Sequence, residues 1–288
     1  MTITSSIIAD SLHPTTGSRL TTFVVRYPRM IHAEIMTHRI LSRNASSSRA
    51  IPVAKFIAWV REDPAMPFAW LKNQSGMQGG EPLSPDEQAQ AESEWLGARD
   101  AVIPFVERLV ALGVHKQIAN RLLEPWHHIS VIVTASNWSN FFGLRYHKDA
   151  QPEFRELARK MLRQYTKNEP RKLKMHEWHL PFILDEERST MTEQALLQCS
   201  VARAARVSFN NHDGTTPDLI KDIALHDRMV VQDPLHASPA EHQAQAVAEA
   251  FNNKLSGNLS REWVQYRKTF SNEFITKMPT LLPADDHE

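Results

Sequence analysis

Glycine is scarce in this chain: nine in 288 residues, about half the usual usage. Neither G-x-G-x-x-G nor a Walker-type loop occurs, which excludes the folds that cradle phosphate on a glycine-rich turn. Any phosphate bound here must be held by side chains or by helix N-termini. One stretch is built for that. Thr37 to Ala50, THRILSRNASSSRA, carries one histidine, three arginines and four serines without a glycine. Guanidinium groups take phosphate or carboxylate oxygens two at a time, and serine hydroxyls donate to the remaining lone pairs. Arg39, Arg43 and Arg49 with Ser42, Ser46, Ser47 and Ser48 have the groups to enclose a phosphomonoester. Taken alone, the same run also suits a solvated loop.

Charge narrows the partners. Lys+Arg and Asp+Glu are both 33, so no overall positive field favours a nucleic-acid or membrane surface. The longest apolar runs, such as SVIVTAS, are far shorter than the ~20 residues of a membrane span. The N-terminus has neither a basic segment nor a long apolar core, so no secretory signal is expected. The one cysteine, Cys199, leaves no intramolecular disulfide and fits a reducing, cytoplasmic setting.

The local patterns predict a helix-rich α+β fold, mixed helices around a small antiparallel sheet. Strands are expected from about Leu20 to Tyr27 and over ISVIVTA. IHAEIMTHRIL has helical spacing and leads into the Arg/Ser stretch, placed in a loop. Residues 74–85 are polar and turn-rich, an exposed insertion. Ser84-Pro85-Asp86-Glu87 is a capping box, and the helix it opens carries Trp95, Ala98, Val102, Phe105 and Leu109 on one stripe. A second helix, roughly Lys116 to Glu124, stops before Pro125. The segment from Ser136 to Tyr165 is mostly helical and broken near Pro152. EQALLQCSVARAARVSF reads as a helix of small residues. Ser238-Pro239-Ala240-Glu241 reads as another capping box, with His242 in the first turn of an alanine-rich helix. Residues 1–275 are expected to form a single domain and 276–288 a disordered tail.

The Arg/Ser stretch resembles the defining motif of the flavin-dependent thymidylate synthases, the ThyX family, R-H-R-x-x-S-x-N-x-x-S-x-R-Y. His38, Arg39, Ser42, Asn44, Ser47 and Arg49 fall on six of its fixed positions, and Thr37 and Ala50 depart from it. NFFGLRYHKDAQPEFRELA, Asn140 to Ala158, is similar to a family helix. There Arg145 stands where an arginine meets the pyrimidine ring, and Asn140 where an asparagine meets flavin. Arg121 in ANRLLEP resembles the arginine that holds the nucleotide phosphate. ARAARVSF followed by HASPAEH resembles the family's A-A-R-V-S-[FY] and S-P-F-E-H segments, which puts His242 beside the flavin. The usual order is S-P-F-E-H first and the arginine motif afterwards, so this chain looks permuted.

What the resemblance implies is a transferase that moves a one-carbon unit from methylenetetrahydrofolate to C5 of dUMP. FAD would be the cofactor and NADPH the reductant. Catalysis would fall to Arg145, with substrate held by Glu34, Ser46, Ser47, Ser48, Arg49, Arg121 and Arg145. FAD would be held by His38, Arg39, Asn44, Asn140 and His242. A homotetramer is implied, with no metal, no stable nucleic-acid partner and no membrane association.

Glu34 stands where the family usually has glutamine. Together with Thr37 and Ala50 it leaves room for a related C5 transferase acting on dUMP or dCMP with a hydroxymethyl product. A non-catalytic nucleic-acid-binding module is the rival from another class. Cys199 has no neighbouring His or Lys to activate it and reads as a buried, inert thiol. His127-His128 are adjacent and face different ways, with no metal-ligand pattern around them.

Overall fold

The computed structural model describes residues 3–210, 214–231, 235–248 and 253–274; the expected tail, 276–288, lies outside them. Strand β1 (Thr4–Leu12) and β2 (Arg19–Pro28) form an antiparallel hairpin. Gly17, at φ 68°, supplies the left-handed residue that the turn requires. β3 (Ser42–Ala45) and β4 (His128–Ala135) extend the sheet, and β5 (Arg171–Lys172) joins β1 in parallel, giving the order β3-β4-β2-β1-β5. A separate three-stranded sheet has the order β6-β7-β8, from Trp178–His179, Ala244–Ala246 and Trp263–Gln265. The fold is helix-rich α+β.

The helices are α1 (His32–Ile35), α2 (Val53–Glu62), α3 (Pro85–Ala111), α4 (Lys116–Ala119), α5 (Ser139–Arg145), α6 (Pro152–Lys167), α7 (Asp185–Thr190), α8 (Glu193–Arg206), α9 (Leu219–Val230) and α10 (Asn253–Ser256). Helices α1, α5 and α6 cover one face of the large sheet. Their Ile35, Phe141, Phe154, Leu157 and Met161 pack on Phe23, Val25, Val131 and Val133. Each such buried side chain stabilises the fold by about 1.5–3 kcal/mol relative to exposure. On the other face Ile132 meets Phe182, Ala204 and Val207.

Four local expectations are corrected. Ser42–Ala45 is a strand and not loop, because the edge of β4 offers the backbone partners that the polar side chains of β3 do not reveal. The α3 helix starts at the expected Ser84 capping box, yet its inward face is Ile103 and Val106 with Trp95, Val102 and Leu109. Ala98 and Phe105 are exposed. Arg99 takes the inward turn by donating to the Val60 carbonyl, and the exposed Phe105 ring is covered by the Arg108 guanidinium, 4.3 Å from its centroid.

The helix expected from Lys116 tightens after Ala119 into a 3-10 helix, Asn120–Trp126, which contains Pro125 instead of stopping before it. Finally, Ser238–Glu241 is a short 3-10 turn in which Ser238 is not the cap. His242 ends that turn, and the alanine-rich segment after it is β7. Pairing with both β6 and β8 overrides the helical propensity of its alanines.

Candidate active site

Arg145 ends α5, where a cation is favoured by the helix dipole. Its Nε donates to His38 Nε2 at 2.8 Å and its Nη1 to Glu34 Oε2 at 2.9 Å. The guanidinium carbon lies 4.4 Å from the centroid of the Phe154 ring. Since His38 Nε2 accepts, its proton must sit on Nδ1. Burial, then the positive charges of Arg145 and Arg43, pushes the His38 imidazole down to about 4. His38 is therefore a neutral prop and Arg145 a fixed cation. Arg43 holds the platform together by donating from Nη1 to the carbonyls of Ile35, Met36 and His38 at 3.3, 2.8 and 3.1 Å. Thr37 turns away and donates to the Glu34 carbonyl.

A second cluster gathers on Glu124. Ser48 Oγ, Arg121 Nη1 and Arg29 Nη2 all reach its Oε1, at 2.9, 2.8 and 3.1 Å. Asn120 Nδ2 donates to the carbonyls of Ser48 and Ile51, which fixes the loop after β3. Ser47 and Arg49 are exposed, and among the described residues their side chains bond only to each other. Glu124 is the residue sequence reading missed. Its signal was the i,i+3 spacing from Arg121.

Asn44, Ser46 and Ser47 line a cleft of about 810 Å³. Asn44 is pinned by donating to the Ala204 carbonyl at 2.8 Å and accepting from Ser238 Oγ at 3.0 Å. Ser46 Oγ accepts from the Ser130 N–H. Across the cleft stand Lys55 and Trp59 of α2, with Arg206 and Val207 at the end of α8. Val207 has φ 58°, a left-handed conformation unusual for a β-branched residue.

His127 and His128 also line the cleft. No group of side chains suited to a metal exists among the described residues. Burial pushes the two imidazoles down to about 3 and about 4. His127 stacks on Phe56 with ring centroids 4.3 Å apart.

Of the sequence-predicted residues, Asn44, Ser46 and Ser47 line the cleft, and Glu34, His38, Arg39, Ser48, Arg49, Arg121, Asn140, Arg145 and His242 do not. Arg39 and Asn140 are exposed, and their side chains make no hydrogen bond or ion pair among the described residues. His242 is fully buried, with Nδ1 bonded to Thr134 Oγ1 at 2.8 Å and Nε2 without a partner among the described residues. The structure thus brings Glu34, His38 and Arg145 into one cluster and Ser48 and Arg121 into a second. Asn44, Ser46 and Ser47 form one wall of the cleft. Cys199 is buried, and desolvation pushes its thiol up to about 11.

The profile of the Thy1 family, thymidylate synthase complementing protein, matches residues 15–171. Two crystal structures of the UMP/dUMP methylase PolB from Streptomyces cacaoi, bound with 5-Br UMP and 5-Br dUMP, are also similar. They are 20% and 19% identical to this chain, cover 58% of it and 89% and 90% of their own length, and superpose with a TM-score of 0.47. No curated protein sequence matches.

Proposed function

This chain belongs to the thymidylate synthase complementing protein family, Thy1, and we propose on that footing that it methylates C5 of dUMP with methylenetetrahydrofolate, FAD and NADPH. The family is one of thymidylate synthase-like methyltransferases, which sets aside the non-catalytic nucleic-acid-binding reading. The observation that carries the proposal is the fixed guanidinium of Arg145, held at 2.8 and 2.9 Å by a neutral His38 and by Glu34. A cation preorganised in this way stabilises charge developing on a pyrimidine carbonyl without reorganising at the moment of reaction.

The donor set suits a flavin nucleotide in part. Arg39 and Asn140 keep their donors unengaged among the described residues, and His242 has an orphaned buried Nε2. Asn44 has committed both ends of its amide, so it serves the loop before any ligand. When bound, reduced flavin supplies the hydride.

The chain's own work is positioning. Arg121 and Arg49 take the nucleotide phosphate, with Ser46, Ser47 and Ser48 on the loop beside them. Glu124 must release Arg121 as the phosphate arrives. No thiolate attack is required of Cys199, whose raised pKa and burial oppose it. Because Arg39, Arg49 and Asn140 all face outward, a homotetramer joining these surfaces into complete sites is part of the reading.

One observation favours a second reading, a C5 transferase acting on dCMP or giving a hydroxymethyl product. Glu34 presents a carboxylate beside Arg145, and carboxylates accept from the 4-amino group of cytosine. Calorimetric titration with FAD tests the cofactor assignment. Stoichiometric uptake is expected, and well-folded protein that binds none would overturn it.

A further inference from the structure

Arg29 has unspent donors. Its side chain is only 19% exposed, lies 3.1 Å from Glu124 Oε1 through Nη2, and donates no hydrogen bond among the described residues. The same oxygen already accepts from Ser48 Oγ at 2.9 Å and from Arg121 Nη1 at 2.8 Å. A carboxylate oxygen has two lone pairs. Those two donors take both, so charge alone holds Arg29. No hydrogen bond reaches Glu124 Oε2 among the described residues. The donors come from separate segments. Arg29 opens the 3-10 turn Arg29–Ile31 after β2, Ser48 is on the loop after β3, and Arg121 shares the 3-10 helix Asn120–Trp126 with Glu124. Asn120 anchors the loop by donating to the Ser48 carbonyl. Arg29 and Glu124 both lie outside the Arg/Ser stretch.

A phosphomonoester dianion suits these donors better than the carboxylate does. It presents three terminal oxygens, so Ser48, Arg121 and Arg29 each find a free lone pair. A guanidinium can also take two of those oxygens at once. Charge agrees with this. Two guanidiniums facing one carboxylate leave the cluster with a positive charge in excess, and the same two facing a dianion leave none. Glu124 and a dianion compete for one set of donors, because like charges so close repel. The Glu124 side chain is 20% exposed, so rotation about its own bonds can carry the carboxylate out to water.

We propose that Glu124 is a placeholder for the substrate phosphate, gathering Ser48, Arg121 and Arg29 in the empty site, and that Arg29 is a further phosphate ligand. Glu124 is then a positioning residue. It offsets the repulsion between the two guanidiniums before the nucleotide arrives, and it swings out when the dianion enters. The apparent affinity for phosphate is lowered by the fraction of molecules in which Glu124 holds the donors. The proposal rests on the reading that Arg121 takes the phosphate of the nucleotide.

Calorimetry of the full chain in buffer containing FAD, with dUMP, deoxyuridine and inorganic phosphate as probes, tests this. Glu124→Gln keeps the shape and removes the charge. It should bind dUMP and phosphate about tenfold tighter, the factor expected if Glu124 holds the empty site about nine-tenths of the time. Arg29→Gln should weaken both by about tenfold or more, the scale of one hydrogen bond to a charged group. Deoxyuridine, which lacks the phosphate, should bind all three proteins alike. A Glu124 that only braces the loop predicts the opposite sign, so weaker or unchanged phosphate and dUMP binding in Glu124→Gln would overturn the placeholder. Arg29→Gln binding both as tightly as the unaltered protein would remove Arg29 from the site. Should Glu124→Gln fail to melt cooperatively, Glu124→Asp takes its place, since its shorter carboxylate engages the donors less and should also tighten binding. The two ideas fail differently. Phosphate that follows these changes while dUMP does not bind contradicts the nucleotide reading and leaves the placeholder standing. Binding of dUMP that weakens in Glu124→Gln contradicts the placeholder and leaves the nucleotide reading standing. Unaltered and Glu124→Gln proteins that both bind neither probe would overturn the proposal.

Discussion

Ser238 Oγ donates to Asn44 Oδ1 at 3.0 Å across 194 residues of sequence. This contact brings the S-P-A-E-H turn against the Arg/Ser stretch. Two further bonds fix the contact. Gln265 Nε2 donates to Ser42 Oγ at 2.7 Å, and His242 Nδ1 meets Thr134 Oγ1 on the strand paired with β3. The turn is late in the chain and adjacent to the Arg/Ser stretch in space.

Arg145→Ala should leave FAD affinity unchanged and slow the chemical step by about 100-fold, roughly 3 kcal/mol of lost charge stabilisation. Single-turnover kinetics beside a flavin titration checks this. An unchanged rate would remove Arg145 from the chemistry.

Cys199→Ser should retain most of its turnover, since the thiol is buried and its pKa is raised to about 11. Turnover abolished in a variant that melts cooperatively and binds FAD would restore the thiol as a nucleophile.

Arg203 is a different case, structural instead of catalytic. Its guanidinium is buried between Glu187 at 2.6 Å and Asp222 at 3.0 Å, and it also donates to the Phe182 carbonyl. Arg203→Met strips a partner from two acids, one of them fully buried, and should cost about 3–5 kcal/mol. A urea titration showing less than about 1 kcal/mol of loss would mean that the network contributes no more than an exposed ion pair.

Acid should unfold the chain steeply. Burial lowers the imidazoles of His38, His127, His128, His179 and His242 to between about 3 and about 4, from an ordinary value of 6.5. Between those values the unfolded chain binds protons that the folded one refuses, so stability rises with pH across the window. It is fully present above pH 6.5 and is lost as pH falls towards 4. Each histidine contributes a slope of roughly 1.4 kcal/mol per pH unit. The urea midpoint should drop sharply from pH 6.5 to pH 4.5, and a flat midpoint would contradict this burial.

Periodicity made β2, β4, the capped start of α3 and the break at Pro152 legible in the sequence, because alternation and caps are local. β3 was illegible because Ser42-Arg43-Asn44-Ala45 has no apolar alternation, and its strand character comes from the edge of β4. Ser238-Pro239-Ala240-Glu241 has the composition of a helix start, and only tertiary pairing shows that a strand follows. The motif carries no signal for the pairings among its residues. That Glu34 and His38 would hold Arg145, or that Glu124 would gather Ser48, Arg29 and Arg121, depends on side chains that meet only in the folded chain.

The most direct test of the account is mass spectrometry of the product formed from dUMP or dCMP, offered separately with FAD, methylenetetrahydrofolate and NADPH. The account predicts that dUMP is turned over faster and gains a methyl group at C5, yielding dTMP. Faster turnover of dCMP, or a product carrying hydroxymethyl in place of methyl, would contradict it.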